Sequence, residues 1–148
     1  MYKHILIATD GSDLAHKAES MGLMLAKALN AQATAVTVTE PWDALSMAAL
    51  AERGMPNPVA DYDECMVAAS SRILWRVSET AKKIGTSCGN LHVKDRHPAE
   101  GIIETARAQG CDLIVMASHG RRGVSRLLLG SQATKVVSLS PIPVLVCR

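Results

Sequence analysis

The sequence is poor in aromatic residues. It has no phenylalanine, two tryptophans and two tyrosines among 148 residues. A surface that stacks the bases of single-stranded nucleic acid needs several exposed aromatic side chains, so the composition argues against that function. The formal net charge of +2 is also too small to predict binding to nucleic acid or to a membrane surface. Any anion site must therefore be local, and we expect no nucleic-acid partner.

Several other familiar patterns are missing. No apolar run approaches the roughly 18 residues of a membrane-spanning helix, and the four cysteines lie far apart without a C-x-x-C pair. The five histidines form no metal-ligand pattern. There is no P-loop lysine motif, and no G-x-G-x-x-G follows the first apolar run. We therefore expect a cytoplasmic protein with reduced thiols, no membrane association and no zinc site.

Five short apolar runs, typical of buried strands, alternate with segments in which apolar residues recur every three or four positions. The predicted strands are Ile5 to Ala8, Ala33 to Thr39, Leu91 to Val93, Leu113 to Met116 and Pro143 to Cys147. This alternation predicts an α/β fold in which helices cover both faces of one parallel sheet, a three-layer α/β/α arrangement. The length fits a single domain over residues 1–148.

One connection lacks the periodicity of the rest. Residues 40–61 contain Pro41, Gly54, Pro56 and Pro58, which predict a long irregular stretch with one or two helical turns between Leu45 and Leu50. The longest helix is expected to begin after it, at Tyr62. Such a connection is either a variable surface excursion or a lid over a binding site.

The stretch from Asp112 to Ser131 carries the strongest chemical pattern. The predicted strand Leu113 to Met116 leads into a loop with Ser118, His119, two glycines and three arginines. The loop ends at Gly130-Ser131, where a helix from Gln132 to Leu139 is expected. Phosphate binding needs this combination, because glycine lets the backbone approach closely and the free N–H groups and dipole of a helix N-terminus attract an anion.

The residues of this loop resemble a known signature. Ala117-Ser118-His119-Gly120, then nine residues, then Gly130-Ser131 is similar to the Gly-x2-Gly-x9-Gly-Ser/Thr pattern of the universal stress protein family, with Ala117 in place of the first glycine. The resemblance extends to the segments 5–12 and 141–146, so it covers nearly the whole chain. It implies a Rossmann-like fold of the adenine-nucleotide alpha-hydrolase-like type, with strand order 3-2-1-4-5.

That strand order places a crevice between the first and fourth strands, where ligands of open α/β sheets bind. The resemblance implies ATP or AMP as the ligand, with or without magnesium. The phosphates would lie on the N–H groups of Gly120, Gly130, Ser131 and Gln132, while Asp10 would contact a ribose hydroxyl or a phosphate-bound metal ion. Val38 would hold the adenine. The remaining predicted nucleotide-binding residues are Ala8, Thr9, Met116, Ala117, His119, Arg121 and Ala133, and Arg122 is a further candidate for phosphate charge.

Ala117 leaves two alternatives open. If the motif glycine is needed for a positive φ, a Cβ costs on the order of 1–2 kcal/mol. If it is needed only for clearance, one methyl group is tolerated. The first case favours a same-fold interaction module that binds no nucleotide.

We predict a stress-response sensor or regulator that hydrolyses ATP slowly at most, with no catalytic residue assigned. The sequence spacing places no carboxylate with His119, although an enzyme using His119 or Asp10 remains a rival hypothesis. The resemblance also implies a homodimer formed through the last strand, Pro143 to Cys147, whose apolar edge needs a cover. A further protein partner is expected but is not identified by the sequence.

Overall fold

The computed structural model describes residues 1–121 and 128–148. This part of the chain contains ten helices and strands, which alternate as predicted except that two helices lie between the second and third strands. They are β1 (His4–Ala8), α1 (Asp13–Leu29), β2 (Gln32–Val38), α2 (Ala44–Glu52), α3 (Pro58–Ile84), β3 (Gly89–Val93), α4 (Pro98–Ala108), β4 (Leu113–Ala117), α5 (Ser131–Leu139) and β5 (Val144–Cys147).

The five strands form one parallel sheet in the order β3-β2-β1-β4-β5. This confirms the predicted fold class and strand order. The order reverses between β1 and β4, which pair from Ile5 with Leu113 to Ile7 with Val115. The carboxyl ends of these two strands therefore lie side by side, at the point of such a sheet where a crevice opens.

The sheet is buried on both faces because alternate residues of its central strand enter different cores. Ile5 and Ile7 pack with residues of α1 and α3, whereas Leu6 and Ala8 pack with residues of α4 and α5. All four are buried, which explains why the strand appears in the sequence as an uninterrupted apolar run. At Gly22, α1 approaches β1 so closely that an added Cβ would lie 2.8 Å from Ile7 Cγ1.

The prediction for residues 40–61 was wrong in part. The segment contains α2, whose N-cap Asp43 accepts a hydrogen bond from the Ser46 N–H at 2.8 Å, and α3 begins at Pro58, four residues before Tyr62. Proline usually indicates irregular structure. At the first position of a helix, however, proline loses no hydrogen bond, and its fixed φ suits the helix. Between residues 40 and 61, therefore, only the two flanking connections are irregular.

Candidate functional site

Asp10 joins two segments that are 111 residues apart in the chain. It lies two residues after the end of β1, and its carboxylate accepts two backbone hydrogen bonds. Oδ1 accepts the N–H of Ser12 at 2.9 Å, and Oδ2 accepts the N–H of Arg121 at 2.9 Å. The end of β1 and the loop after β4 are thus held together by one half-buried carboxylate, and an oxygen with two lone pairs keeps capacity for a ligand.

The contact between Asp10 and the loop, rather than the local backbone conformation, requires glycine at position 120. Its φ is not positive, but an added Cβ would lie 2.6 Å from Asp10 Oδ2. No side chain heavier than hydrogen fits while the carboxylate stays in place. The glycine therefore gives Asp10 access to the backbone of the loop.

The N-terminus of α5 faces the same loop. Gly130 is its N-cap, without a side-chain cap, and the Gly130 N–H donates to the Ser118 carbonyl oxygen at 2.8 Å. The next three N–H groups, of Ser131, Gln132 and Ala133, precede the first turn of intrahelical bonds. Within residues 1–121 and 128–148 these three groups have no protein acceptor. Together with the helix dipole they can receive an anion.

The side chain of Gln132 has a role that sequence reasoning missed. Its Oε1 accepts the N–H of Ala99 at 3.1 Å, which is one of the otherwise free donors at the start of α4. His97, the N-cap of that helix, makes no side-chain cap. Gln132 therefore caps α4 from a neighbouring helix and links two helix N-termini at this end of the sheet.

Ala117 occupies the last position of β4. It pairs with Cys147 of β5 and is only 8% exposed. Its φ is not positive, so its Cβ carries no left-handed backbone strain. The sequence left open whether the motif glycine is needed for a positive φ or only for clearance. The need for a positive φ does not apply at Ala117 of this chain.

Most other predicted site residues lie in the core next to this region. Ala8, Met116 and Ala133 are buried in the cluster on the α4 and α5 face. Val38, at the end of β2, packs against the same cluster and against α4, where an added Cβ on Gly101 would lie 2.8 Å from Val38 Cγ1. The side chains of these residues are therefore taken up by core packing beside the ends of β1, β2 and β4. Arg122 lies outside the described residues.

The imidazole of His119 contacts the side chain of the preceding residue, Ser118. Its Nδ1 lies 3.0 Å from the hydroxyl oxygen of Ser118, a residue that is buried and donates its N–H to the Cys147 carbonyl oxygen. In the described part of the chain, His119 forms no ion pair with a carboxylate. The structure thus places no orienting acid beside this imidazole among those residues.

Thr9 is held by a residue that the sequence did not single out. Its hydroxyl donates to Glu19, a buried carboxylate of α1, and accepts the N–H of Gly11 at 3.1 Å. Glu19 lies on the apolar face of α1, four residues after Ala15 and three before Gly22. A charged residue at a buried helical position was the available clue, because such positions are normally apolar.

The rim beside the end of β2 is polar and acidic. Tyr62 donates its hydroxyl to the Glu40 carbonyl oxygen at 2.9 Å, and burial together with nearby carboxylates raises the pKa of Tyr62. The hydroxyl oxygen of Thr39 lies 3.0 Å from Nε2 of His92. Burial, with a contribution from Lys94, lowers the pKa of His92. The imidazole is therefore mainly neutral at pH 7, and His92 offers hydrogen-bonding groups rather than positive charge.

Two kinds of feature are absent from the described residues. No group of three or more His, Cys, Asp or Glu side chains is arranged to hold a metal ion there. None of the helices in residues 1–121 and 128–148 combines the length and apolar character needed to cross a membrane.

Comparison with known proteins gives consistent results. The model of the family described as "Universal stress protein family" matches residues 1–148. A universal stress protein of Methanocaldococcus jannaschii is 31% identical over 148 residues, which cover 100% of this chain and 83% of that protein. Another from Thermus aquaticus is 31% identical over 150 residues, with 100% of both chains covered. A universal stress protein solved in complex with cAMP has a TM-score of 0.74 and 26% identity, covering 99% of this chain and 97% of the other.

Proposed function

The chain belongs to the universal stress protein family, and we propose that it binds ATP or AMP in the crevice between β1 and β4 and acts as a stress-response sensor or regulator. One observation carries the proposal. The Asp10 carboxylate accepts the Arg121 N–H at 2.9 Å, which brings the end of β1 to the glycine-containing loop after β4. The relative that was solved with cAMP supports an adenine nucleotide as the ligand class.

The phosphates bind at the start of α5 in this proposal. The N–H groups of Ser131, Gln132 and Ala133, which have no acceptor within the described residues, receive them, and the exposed Ser131 hydroxyl adds a further donor. The Gly130 N–H, predicted from the sequence as a phosphate donor, is instead held by the Ser118 carbonyl oxygen. The helix dipole contributes the equivalent of about half a positive charge. Gly120 supplies close backbone approach at the other side of the loop.

In this proposal Asp10 contacts the ribose or a metal ion bound to the phosphates. Its two carboxylate oxygens each hold one N–H and retain lone pairs that can accept a ribose hydroxyl or coordinate a magnesium ion carried by the phosphates. The exposed Arg121, whose N–H already contacts Asp10, supplies positive charge to balance the phosphates.

The adenine lies toward the end of β2 in this proposal. Val38 offers backbone groups there, while its side chain packs on α4. Ala8, Thr9, Met116, Ala117 and His119 line the inner wall. An aliphatic wall with backbone donors and acceptors suits a purine ring in a chain that has few aromatic side chains.

A homodimer is the proposed assembly. β5 pairs with β4 on one side only, and in the described sheet its other edge has no strand partner. Leu145 of β5 is 38% exposed, and Val137 and Leu139 on the adjacent α5 are exposed as well. An apolar edge strand of this kind is stabilised when a second copy covers it.

The experiment is a calorimetric titration of the nucleotide-stripped protein with AMP, and with ATP plus magnesium. The Gly130→Asp variant places a carboxylate at the phosphate position, where its Cβ would already lie 3.1 Å from the Ser118 carbonyl oxygen. Ser71→Asp, which adds the same charge to an exposed position of α3, is the matched control. We expect micromolar binding by the parent protein and Ser71→Asp, and none by Gly130→Asp.

Each contrary result has a defined meaning. If the parent protein binds neither nucleotide, the chain is an interaction module of the same fold and the proposal is wrong. If Gly130→Asp binds as well as the parent, the ligand site lies elsewhere. Ala117→Gly tests the departure from the family motif, and we expect it to improve affinity by less than about tenfold because Ala117 carries no backbone strain.

A further inference from the structure

Glu19 is a carboxylate inside the apolar face of α1. It is 1% exposed and lies among the core residues Ala15, Ala18 and Gly22 of the same helix. A buried carboxylate is costly unless hydrogen bonds compensate its lost hydration. Its contacts therefore indicate what it does.

Both carboxylate oxygens of Glu19 have partners. Oε1 accepts the hydroxyl of Thr9, and Oε2 lies 3.0 Å from Nδ1 of His16, one turn earlier in α1. In the tautomer that carries its proton on Nδ1, His16 donates to this second oxygen. The two contacts fix the direction of the carboxylate, so that the Thr9 hydroxyl must point its hydrogen toward α1.

The direction of the Thr9 hydroxyl in turn holds the turn after β1. With its hydrogen on Glu19, the Thr9 oxygen presents a lone pair to the Gly11 N–H at 3.1 Å. Gly11 has φ +76°, and its carbonyl oxygen accepts Nη2 of Arg76 from α3 at 3.2 Å. Thr9 is also fixed by its own N–H, which donates to the Val36 carbonyl oxygen at 3.0 Å.

Asp10 stands between these two anchored residues. We propose that Glu19, oriented by His16, is a positioning residue that acts through the Thr9 hydroxyl to hold the Asp10 carboxylate toward the loop after β4. This inference rests on the proposed nucleotide site. The chain of contacts is continuous from His16 to Glu19, Thr9 and Gly11, and Asp10 is covalently bonded to the last two.

A purely structural role predicts a different result. For folding alone, an apolar side chain of similar size is often as good as a buried carboxylate or better. An apolar group cannot, however, orient a hydroxyl. The inference therefore predicts that removing the acceptor at position 19 weakens nucleotide binding without lowering the midpoint of thermal unfolding in proportion.

The test compares Glu19→Met with Glu19→Gln. Both remove the carboxylate and nearly preserve the side-chain shape, but only glutamine retains an oxygen that accepts the Thr9 hydroxyl. We expect the Kd for AMP to rise about tenfold in Glu19→Met and to stay within about twofold in Glu19→Gln. Glu79→Met, which removes a partly exposed carboxylate of α3 paired with Lys82, is the control for losing a glutamate elsewhere.

Two further measurements keep the inference testable in every case. Thr9→Val should reproduce the Glu19→Met effect, and the double variant should show no additional loss, because both changes break the same chain of contacts. Amide hydrogen exchange reports on the protein without ligand. We expect exchange of the Arg121 N–H, which is held by Asp10, to accelerate about tenfold in Glu19→Met and Thr9→Val.

The outcomes separate this inference from the proposed function. If the parent protein binds no AMP, the proposed function fails, and the Arg121 exchange rate alone decides the inference. Unchanged exchange at Arg121 in both variants overturns it, as does equal weakening of AMP binding by Glu19→Gln and Glu19→Met. If Glu19→Met does not fold, Thr9→Val and Glu19→Gln still decide by the same two measurements.

Discussion

The Gly120→Ala substitution tests the contact on which the candidate site depends. The added Cβ would lie 2.6 Å from Asp10 Oδ2, far closer than the 3.4 Å at which ordinary contacts begin. The carboxylate must therefore withdraw by several tenths of an ångström. Its hydrogen bond with the Arg121 N–H, now 2.9 Å long, is then lost or severely lengthened.

The expected cost follows from the kind of bond that is broken. A hydrogen bond to an ionised group contributes about 1.5–3 kcal/mol, and Arg121 is exposed, so we discount the loss to about 1–2 kcal/mol. Alanine restricts the unfolded chain more than glycine does, which offsets about 0.4–1 kcal/mol. The net loss of about 1 kcal/mol corresponds to a melting temperature about 2–4 °C lower for a protein of this size.

The control is Gly89→Ala. Gly89 also has a φ outside the left-handed region, but its added Cβ would lie at an ordinary 3.4 Å from Thr34 Oγ1. This variant should show the gain from the restricted unfolded chain without a clash. Thermal unfolding of both variants, followed by calorimetric titration with AMP, separates the loss of the Asp10 contact from the general effect of alanine.

The refuting result comes from a double-mutant cycle. In an Asp10→Ala background the carboxylate is absent, so Gly120→Ala should cost nothing further. If the full cost of Gly120→Ala persists without the Asp10 carboxylate, the clash is not its cause. Asp10 is then not the reason why glycine is needed at position 120.

Three other predictions concern regions outside the crevice. Although burial opposes the shift, hydrogen bonds from two backbone N–H groups lower the pKa of Asp112. The carboxylate is partly exposed, so Asp112→Asn should lower the free energy of unfolding at pH 7 by less than about 1 kcal/mol. The difference should be complete above about pH 4 and shrink as the pH falls through the lowered pKa of Asp112; a difference of the same size at pH 2 contradicts this. Leu145→Glu should give monomers in sedimentation. The control Leu45→Glu changes a position of α2 that is 81% exposed and should leave the dimer intact. An unchanged dimer in Leu145→Glu counts against the β5 interface. Burial, with an added effect of Glu19, raises the pKa of the Cys88 thiol to about 11. A thiol reagent at pH 8 should therefore label exposed Cys65 rapidly and Cys88 only after unfolding; rapid labelling of Cys88 itself in folded Cys65→Ser, located by mass spectrometry, refutes this.

The sequence predicted the helices and strands well where burial was periodic. β1 and β4 were recognised because their residues are apolar on both faces, and α1 because its small and apolar residues recur at helical spacing. The same reasoning failed between residues 40 and 61, where the prolines and a glycine suggested loop. Pro58 begins a helix of 27 residues. Proline is favoured at the first position of a helix, so here it marks a helix start rather than a loop.

The sequence likewise predicted some features of the candidate site and not others. Glycine, serine and a helix start in a loop predicted an anion site from local chemistry, and the strand order that brings this loop to Asp10 was implied by the family resemblance. The role of Gly120 was not visible in the sequence. It depends on Asp10, more than a hundred residues earlier, because only their proximity in the folded chain forbids a Cβ.

The amino-acid sequence by itself determined which segments are buried and which loop can receive an anion, because both properties follow from side chains close together in the chain. The tertiary structure alone decided that Glu19 holds Thr9 from within the core, that Gln132 caps α4 rather than pointing freely to a ligand, and that Ala117 lies unstrained at the end of a strand. Two of these features are contacts between different secondary-structure elements, and the third depends on the strand pairing at the end of β4. No local pattern encodes a hydrogen bond whose partner arrives only when the sheet and its helices are assembled.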